Sequence, residues 1–285
     1  MQRYKILHRT YYNFPATVCL EPHVLRLRPR EGYELHIESS TLKITPTPTS
    51  LRWHRDAEDN SVAITTFPPT PTQQLLIESE IIIQQYNEAP LDFLVEDYAT
   101  HYPFAYRPED EVLLAPYMQA ATPTNTEQLR QWVATVWQPG EPIQTYSLLQ
   151  RLALHIQQKL AYQLREEPGV QSVTDTLTLG TGSCRDSAYL FMEAARSLGF
   201  AARFVSGYLH APPSDGNFGA THAWAEIFLP GAGWKGFDPT IGAVVGSDHI
   251  AVAVAQLPES VPPVSGAFIG PPGSTLDVGV WVTAL

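Results

Sequence analysis

Gly182-Ser183-Cys184-Arg185-Asp186-Ser187 is followed by Ala188, Phe191, Ala195 and Leu198 at steps of three, four and three, and then by Gly199. This spacing predicts a short helix with a glycine stop, and Ser183 is a favourable N-cap with Asp186 three residues on. Cys184 then falls in the first helical turn. Unpaired backbone N–H groups and the helix dipole favour a thiolate there, and the same N–H groups can receive the oxyanion of a tetrahedral intermediate.

Working outward, four β-like segments follow this helix: Ala201–Leu209, Thr221–Leu229, Trp234–Asp238 and Ile250–Val254. A last one spans Leu276–Ala284. Upstream, Leu148, Leu149, Leu152, Ile156 and Leu160 form an apolar stripe at helical spacing, predicting a core helix from about Tyr146 to Tyr162. Thr124-Asn-Thr-Glu127 has the spacing of a capping box and predicts a helix running to about Trp137. Helices first and an antiparallel sheet after give an α+β unit.

Along Thr221–Leu229 the pleat puts His222, Trp224, Glu226 and Phe228 on one face and the apolar Ala223, Ala225, Ile227 and Leu229 on the other. Asp238 ends the next strand before Pro239, where its short carboxylate can reach an imidazole on a neighbouring strand. Cysteine, histidine and aspartate in that order supply a nucleophile, a base and a carboxylate to orient the base. Taken singly, a cysteine is usually packing, a histidine a satisfied polar group and Asp-Pro a turn. Asp186 reads most economically as a cap and Arg185 as an ion-pair partner. Trp224 reads equally as core and as a shield for a thiolate–imidazolium pair.

Competing chemistries lack their spacings. No Cys-x-x-Cys or His-Glu-x-x-His occurs, so neither a metal nor a cofactor is expected. Leu179-Gly-Thr-Gly-Ser183 lacks the third glycine of a dinucleotide loop and the lysine of a P-loop. The formal charge of −11, without a Lys/Arg cluster, argues against nucleic acid and anionic membrane as partners. No apolar run approaches ~18 residues, and the start of the chain has no signal-peptide core. Cys19 and Cys184 are the only cysteines, too few for a disulfide framework, and Cys19 reads as a small buried hydrophobe. A soluble, cytoplasmic protein is expected.

Residues 1–86 carry Thr, Tyr, Val and Ile broken by turns. They predict a small β-sandwich or open barrel with strands at Tyr4–Phe14, Val24–Pro29, Glu34–Thr45, Val62–Phe67 and Gln73–Gln85. Residues 87–123 hold Pro90, Pro103, Pro108, Pro116 and Pro123 and read as a connector packed over a surface. Residues 124–285 read as the catalytic core with C-terminal strands.

With these residues in view, the chain resembles the transglutaminase-like superfamily, specifically the bacterial transglutaminase-like cysteine peptidases. The resemblance rests on Gly-Ser-Cys-Arg-Asp at 182–186, Ala-Arg-Phe-Val-Ser-Gly-Tyr at 202–208, His-Ala-Trp-Ala-Glu at 222–226 and Gly-Trp-Lys-Gly-Phe-Asp-Pro-Thr at 233–240. It extends through Leu7-His-Arg-Thr-Tyr-Tyr12, Leu25-Arg-Leu-Arg-Pro29 and Asp59-Asn-Ser-Val62 to His249-Ile-Ala-Val-Ala253, essentially the whole chain. It implies a papain-like α+β core behind a β domain, no required metal, Cys184 as nucleophile, His222 as base and acid, and Asp238 as orienting carboxylate. Ser187 and Ile241 depart from the family, where an aromatic and a polar residue are common.

The activity expected is acyl transfer from an amide through a thioester, with a peptide or other amide as substrate and water as the favoured acceptor. An amine acceptor would make the same triad a transglutaminase. A scaffold on the same fold is the non-enzymatic alternative. Ser183, Trp224 and Tyr162 are the further candidates around the thiol, Tyr162 as second oxyanion donor. Oligomeric state is not legible in the residues.

Overall fold

The computed structural model describes residues 1–86, 90–120, 126–165, 167–210 and 221–285. The N-terminal unit contains β1 (Gln2–Leu25), β2 (Leu35–Thr45), β3 (Ser50–Arg55), β4 (Ser61–Thr66) and β5 (Thr72–Gln85). Then come α1 (Pro108–Met118), α2 (Thr126–Val133), α3 (Thr145–Lys159), α4 (Val173–Leu179) and α5 (Cys184–Ser197). The chain continues with β6 (Ala202–Leu209), β7 (His222–Leu229), β8 (Gly233–Asp238), β9 (His249–Ala255), β10 (Val264–Ile269) and β11 (Thr275–Ala284).

The N-terminal sheet runs in the order β2-β5-β1-β4-β3, with β10 and β11 also paired to β1. β1 is one 24-residue strand, not the two strands expected at 4–14 and 24–29. Its register against β5 shifts between Asn13 and Val18, around Pro15, which has no N–H to give a ladder. Before the shift it pairs with β5 and β11, and after it with β4 and β10. The last strands therefore belong to the N-terminal sheet, a correction to the division that groups 264–284 with the core. The reason is physical: β1 would otherwise present a long row of unpaired N–H and C=O groups. β3 has no counterpart among the expected strands, because Ser50-Leu-Arg-Trp-His-Arg55 lies on the sheet's edge, almost wholly exposed, and shows no alternation.

The second sheet is antiparallel throughout, in the order 243–244, β8, β7, β6, β9. Its inner face buries Ala223, Ala225, Ile227, Leu229 and Phe204 against Ala188, Phe191, Met192 and Ala195 of α5. Behind α5 lie Leu148, Leu149, Leu152 and Ile156 of α3. Each large apolar side chain buried this way contributes roughly 1.5–3 kcal/mol. The pattern predicts one apolar stripe on α5, yet the helix is buried almost all round. Its charged positions pair internally instead: Arg196 bonds Glu193 at 2.7 Å and donates to the carbonyls of Ala202 and Gln256, both at 2.8 Å. Gly199, at φ +88°, ends the helix in a conformation that a side chain would disfavour.

Two helix ends and one whole element differ from expectation. Thr124 lies outside the described residues, and α2 ends at Val133. α3 stops at Lys159, so Tyr162 sits beyond the helix, in a two-residue strand parallel to Thr181–Gly182. α4 is a helix that the expected elements omit, capped by the Ser172 hydroxyl accepting from Asp175 N–H at 3.1 Å. The connector carries α1, with Pro108 at its first position. Tyr102 and Tyr106 of the connector donate to the carbonyls of Leu198 and Phe228 at 2.7 and 2.8 Å.

The N-terminal unit covers the outer edge of β9. Arg30 N–H donates to the Ala251 carbonyl, while the Asn60 side chain both donates to Val254 O and accepts from Val254 N–H, each at 2.8 Å. Tyr4, Ile6, Ile81 and Ile83 pack with Tyr208, Ile250 and Val252.

Candidate active site

Asp186 organises the start of α5. Its carboxylate, fully buried, accepts from Ser183 N–H and Ser183 hydroxyl, both at 2.8 Å, from Gln171 N–H at 2.7 Å and from Arg165 at 2.8 Å. Burial favours its neutral form, but these hydrogen bonds outweigh burial and hold the group below the ordinary aspartate value. The expected N-cap is thus realised with Ser183 as donor. Arg185 donates to the carbonyls of Arg165 and Glu167, which fastens the preceding loop to the helix. With loop and cap fixed, Cys184 opens the helix at 7% exposure.

The base comes from the sheet. Pairing sets Gly207 opposite His222 and Val205 opposite Trp224 on β6–β7, and Ala225 opposite Phe237 on β7–β8. One step along, Asp238 is level with Trp224 and shares the face of His222. His222 Nε2 donates to Asp238 Oδ2 at 2.6 Å. That leaves Nδ1 free of Asp238, and Cys184 is close enough to the ring for its thiol to raise the imidazole's pKa. Burial alone would lower the imidazole's pKa. The hydrogen bond to Asp238, and the charges on Asp238 and Cys184, outweigh it and raise the value to about 10. Burial likewise favours a neutral Asp238, yet the hydrogen bonds from His222 and His249 keep it well below the usual carboxylate range.

His249 is the functional-site residue that sequence reasoning missed. It is buried on β9, and its Nε2 reaches the same Asp238 Oδ2 at 3.1 Å, while Thr240 N–H donates to Oδ1 at 2.9 Å. Its only sequence signal is its place in His249-Ile-Ala-Val-Ala253. Trp224, 1% exposed, packs edge-on against His249 with ring centroids 5.2 Å apart and lies 6.2 Å from the His222 ring. Trp224 thus packs beside both imidazoles, while the Ser183 hydroxyl is engaged with Asp186. Gly207 makes room for Trp224: a Cβ there would come within 2.4 Å of the Ile250 carbonyl and 2.6 Å of the Trp224 ring.

Tyr162 is held beside the nucleophile because Ala161 N–H and Gln163 N–H donate to the carbonyls of Gly180 and Gly182, both at 2.9 Å. It is 58% exposed. Partial burial, then negative charge at Cys184, raise its pKa, so the hydroxyl stays a donor. Ile241, one of the departures from the family pattern, is 48% exposed, and Ser187 is buried in α5. Cys19 and Cys184 are both unpaired thiols, and Cys19 is half-buried, less enclosed than expected.

Among the described residues, His222, Asp238 and His249 are the group of metal-ligand type, with donor atoms within 4.8 Å of one another. The 2.6 Å between Nε2 and Oδ2 is a hydrogen-bond length. Two ligands of a tetrahedral zinc, each ~2.0–2.1 Å from the ion, would stand about 3.3 Å apart. Among the described residues, no helix is long and apolar enough to cross a membrane.

Comparison with known proteins agrees with this architecture. Residues 4–84 match the bacterial transglutaminase-like N-terminal region, and residues 130–239 match the transglutaminase-like superfamily. An uncharacterized protein of Mycobacterium leprae is 27% identical over 295 residues, covering 100% of both chains. One from Mycobacterium tuberculosis strain H37Rv is 27% identical over 291 residues, covering 98% of this chain and 91% of its own. Among solved structures, a chain from Cytophaga hutchinsonii described as a "putative cysteine protease" superposes with a TM-score of 0.72. It is 17% identical and covers 100% of this chain and 91% of its own, a likeness of fold.

Proposed function

We propose, from the premise that this chain belongs to the transglutaminase-like superfamily, that it is a thiol acyl-transfer enzyme acting on amide bonds, with hydrolysis as its reaction. The observation that carries the reading is geometric: His222 of β7 bonds the Asp238 carboxylate at 2.6 Å, with Cys184 opening α5 beside them, and the charges on Asp238 and Cys184 raise the imidazole's pKa to about 10.

An imidazolium beside the sulfur stabilises negative charge on it. The sulfur attacks the amide carbonyl, and charge moves to the carbonyl oxygen. The Cys184 N–H at the start of α5 is aimed at that oxygen, and Tyr162 is the second donor in this proposal. His222 gives its proton to the leaving nitrogen as the C–N bond breaks, leaving an acyl-thioester. The ring, now neutral, takes a proton from the acceptor that attacks the thioester, and the thiolate leaves. Asp238 holds the ring in one orientation through both steps. Water is the favoured acceptor because residues 161–164 beside the sulfur are exposed, and keeping water from the thioester requires a shielded amine path.

The test is carboxamidomethylation of Cys184 at pH 6, with Cys19→Ser in the background, followed by a screen of amide substrates. Fast labelling that is lost in His222→Ala, with amide cleavage abolished in Cys184→Ala, is the expected result. Slow labelling indifferent to His222 would overturn the mechanism and leave the scaffold reading.

A further inference from the structure

The structure assigns to His249 a positioning role: it is a second imidazole donor that holds Asp238 for His222, and the N-terminal sheet is what holds His249. This deepens the acyl-transfer reading and rests on it for its functional consequence, though not for its geometry.

The ring's tautomer follows from its neighbours. Gly246 N–H donates to His249 Nδ1 at 3.3 Å, so Nδ1 presents its lone pair and the ring proton sits on Nε2. That nitrogen faces Asp238 Oδ2 at 3.1 Å, and a carboxylate offers only acceptors. Two imidazoles therefore donate to one oxygen from different strands, β7 and β9, while Thr240 N–H takes the other oxygen. The carboxylate has no rotation left that keeps all three bonds. Trp224 closes the space around it, edge-on to His249.

The support of His249 comes from outside the catalytic sheet. Gln85 at the end of β5, 5% exposed, donates to the His249 carbonyl at 3.1 Å. Tyr4 near the start of β1 donates to Asp248 Oδ1 at 2.9 Å. Arg30 and Asn60 fasten the same strand further along. A chain of hydrogen bonds thus runs from the N-terminal sheet through β9 and His249 to Asp238 and then to His222, giving that sheet a part in the triad's geometry.

The experiment uses the full chain labelled with 15N-histidine. Long-range 1H–15N correlations read the tautomer of each ring, and labelling of Cys184 by iodoacetamide reads the nucleophile. In the wild type, His249 is expected as the Nε2–H tautomer. His249→Gln keeps an amide donor near the position of Nε2, and His249→Phe removes it while filling the space. Losing a hydrogen bond to a charged group should slow labelling about tenfold in His249→Phe, with the His222 Nε2–H resonance shifted or broadened. His249→Gln should stay within about threefold, and Gln85→Ala should move the same His222 resonance.

A His249 ring protonated on Nδ1, or rates and His222 resonances unchanged in His249→Phe, would overturn the role. Rates that fall equally in the Gln and Phe variants would reduce it to packing. An unmoved resonance in Gln85→Ala would cut the N-terminal sheet out of the chain. Labelling that is slow in the wild type and indifferent to His222 would sink the acyl-transfer reading instead, and the tautomer would still decide His249.

Discussion

Two buried aspartates stand on either side of the Cys184–His222 pair, and their surroundings differ in one respect. Asp186 is satisfied by backbone amides, a hydroxyl and a guanidinium, none of which is an acid or base in the proposed proton transfers. Asp238 is satisfied by two imidazoles and one backbone amide. The first environment keeps its charges through the reaction, and its carboxylate is a structural clasp for the nucleophile's helix. The second changes charge with the chemistry it serves. A buried carboxylate is therefore read by its donors and not by its burial, which is complete in both cases.

The sharpest way to break this comparison is the same substitution at both positions. Asp238→Asn should lower amide turnover by about 10^4, the scale for a base left without its orienting carboxylate. A thermal melt close to wild type would accompany that loss. Asp186→Asn should do the reverse. Removing one partner of a buried pair costs roughly 3–5 kcal/mol, with Arg165 left behind, so urea unfolding should show a large loss of stability while Cys184 labelling per folded molecule stays within about tenfold. If the two variants exchanged these phenotypes, the assignment of clasp and orienting carboxylate would be inverted.

A smaller effect probes the room behind Asp238. Gly207→Ala places a methyl against the Ile250 carbonyl and the Trp224 ring. Overpacking of this kind costs about 1–3 kcal/mol, to be read as a lower urea midpoint at unchanged slope. Gly182, on the clasp side, would meet mainly the Asp186 side chain.

The gentlest test is pH. The His222 pKa rises from about 6.5 in the unfolded chain to about 10 in the fold. The folded state then holds the extra proton between those values, and stability falls as pH rises. The stabilisation from His222 is complete below about pH 6.5 and lost as pH passes about 10. The gap in melting temperature between wild type and His222→Ala should accordingly narrow over that window. A gap that widens instead would contradict a charged His222.

The comparison also explains what the residues disclosed before any coordinates. The clasp side is local: Ser183, Cys184 and Asp186 lie within one helical turn, so cap and nucleophile are readable from spacing alone. His222 and Asp238 lie on adjacent strands joined by a short turn, where alternation settles which side chains share a face. His249 is different. It reaches Asp238 across β6 and β7, through pairing that shifts register between Ser206 and Gly207 and brings Leu209 opposite His249. No periodicity within β9 reveals a partner three strands away in the sheet. β10 and β11 were illegible as members of the N-terminal sheet for the same reason, since their partner β1 is some 250 residues earlier. Tyr162 was placed on a helix because Leu160 continues the stripe of α3, and only the parallel pairing with Thr181–Gly182 draws the chain away.

That β11 pairs with β1 from Tyr4–Ala284 to Asn13–Thr275 has a consequence for the order of assembly. A ribosome releases β1 well before β11, with the whole catalytic sheet between them. The N-terminal sheet therefore waits with one flank of β1 unpaired until β11 emerges, a long-range closure of the kind that folds slowly and leaves an edge open to other chains. The polar and charged residues on that early flank, Lys5, Arg9 and Asn13 among them, would keep it in solution while it waits.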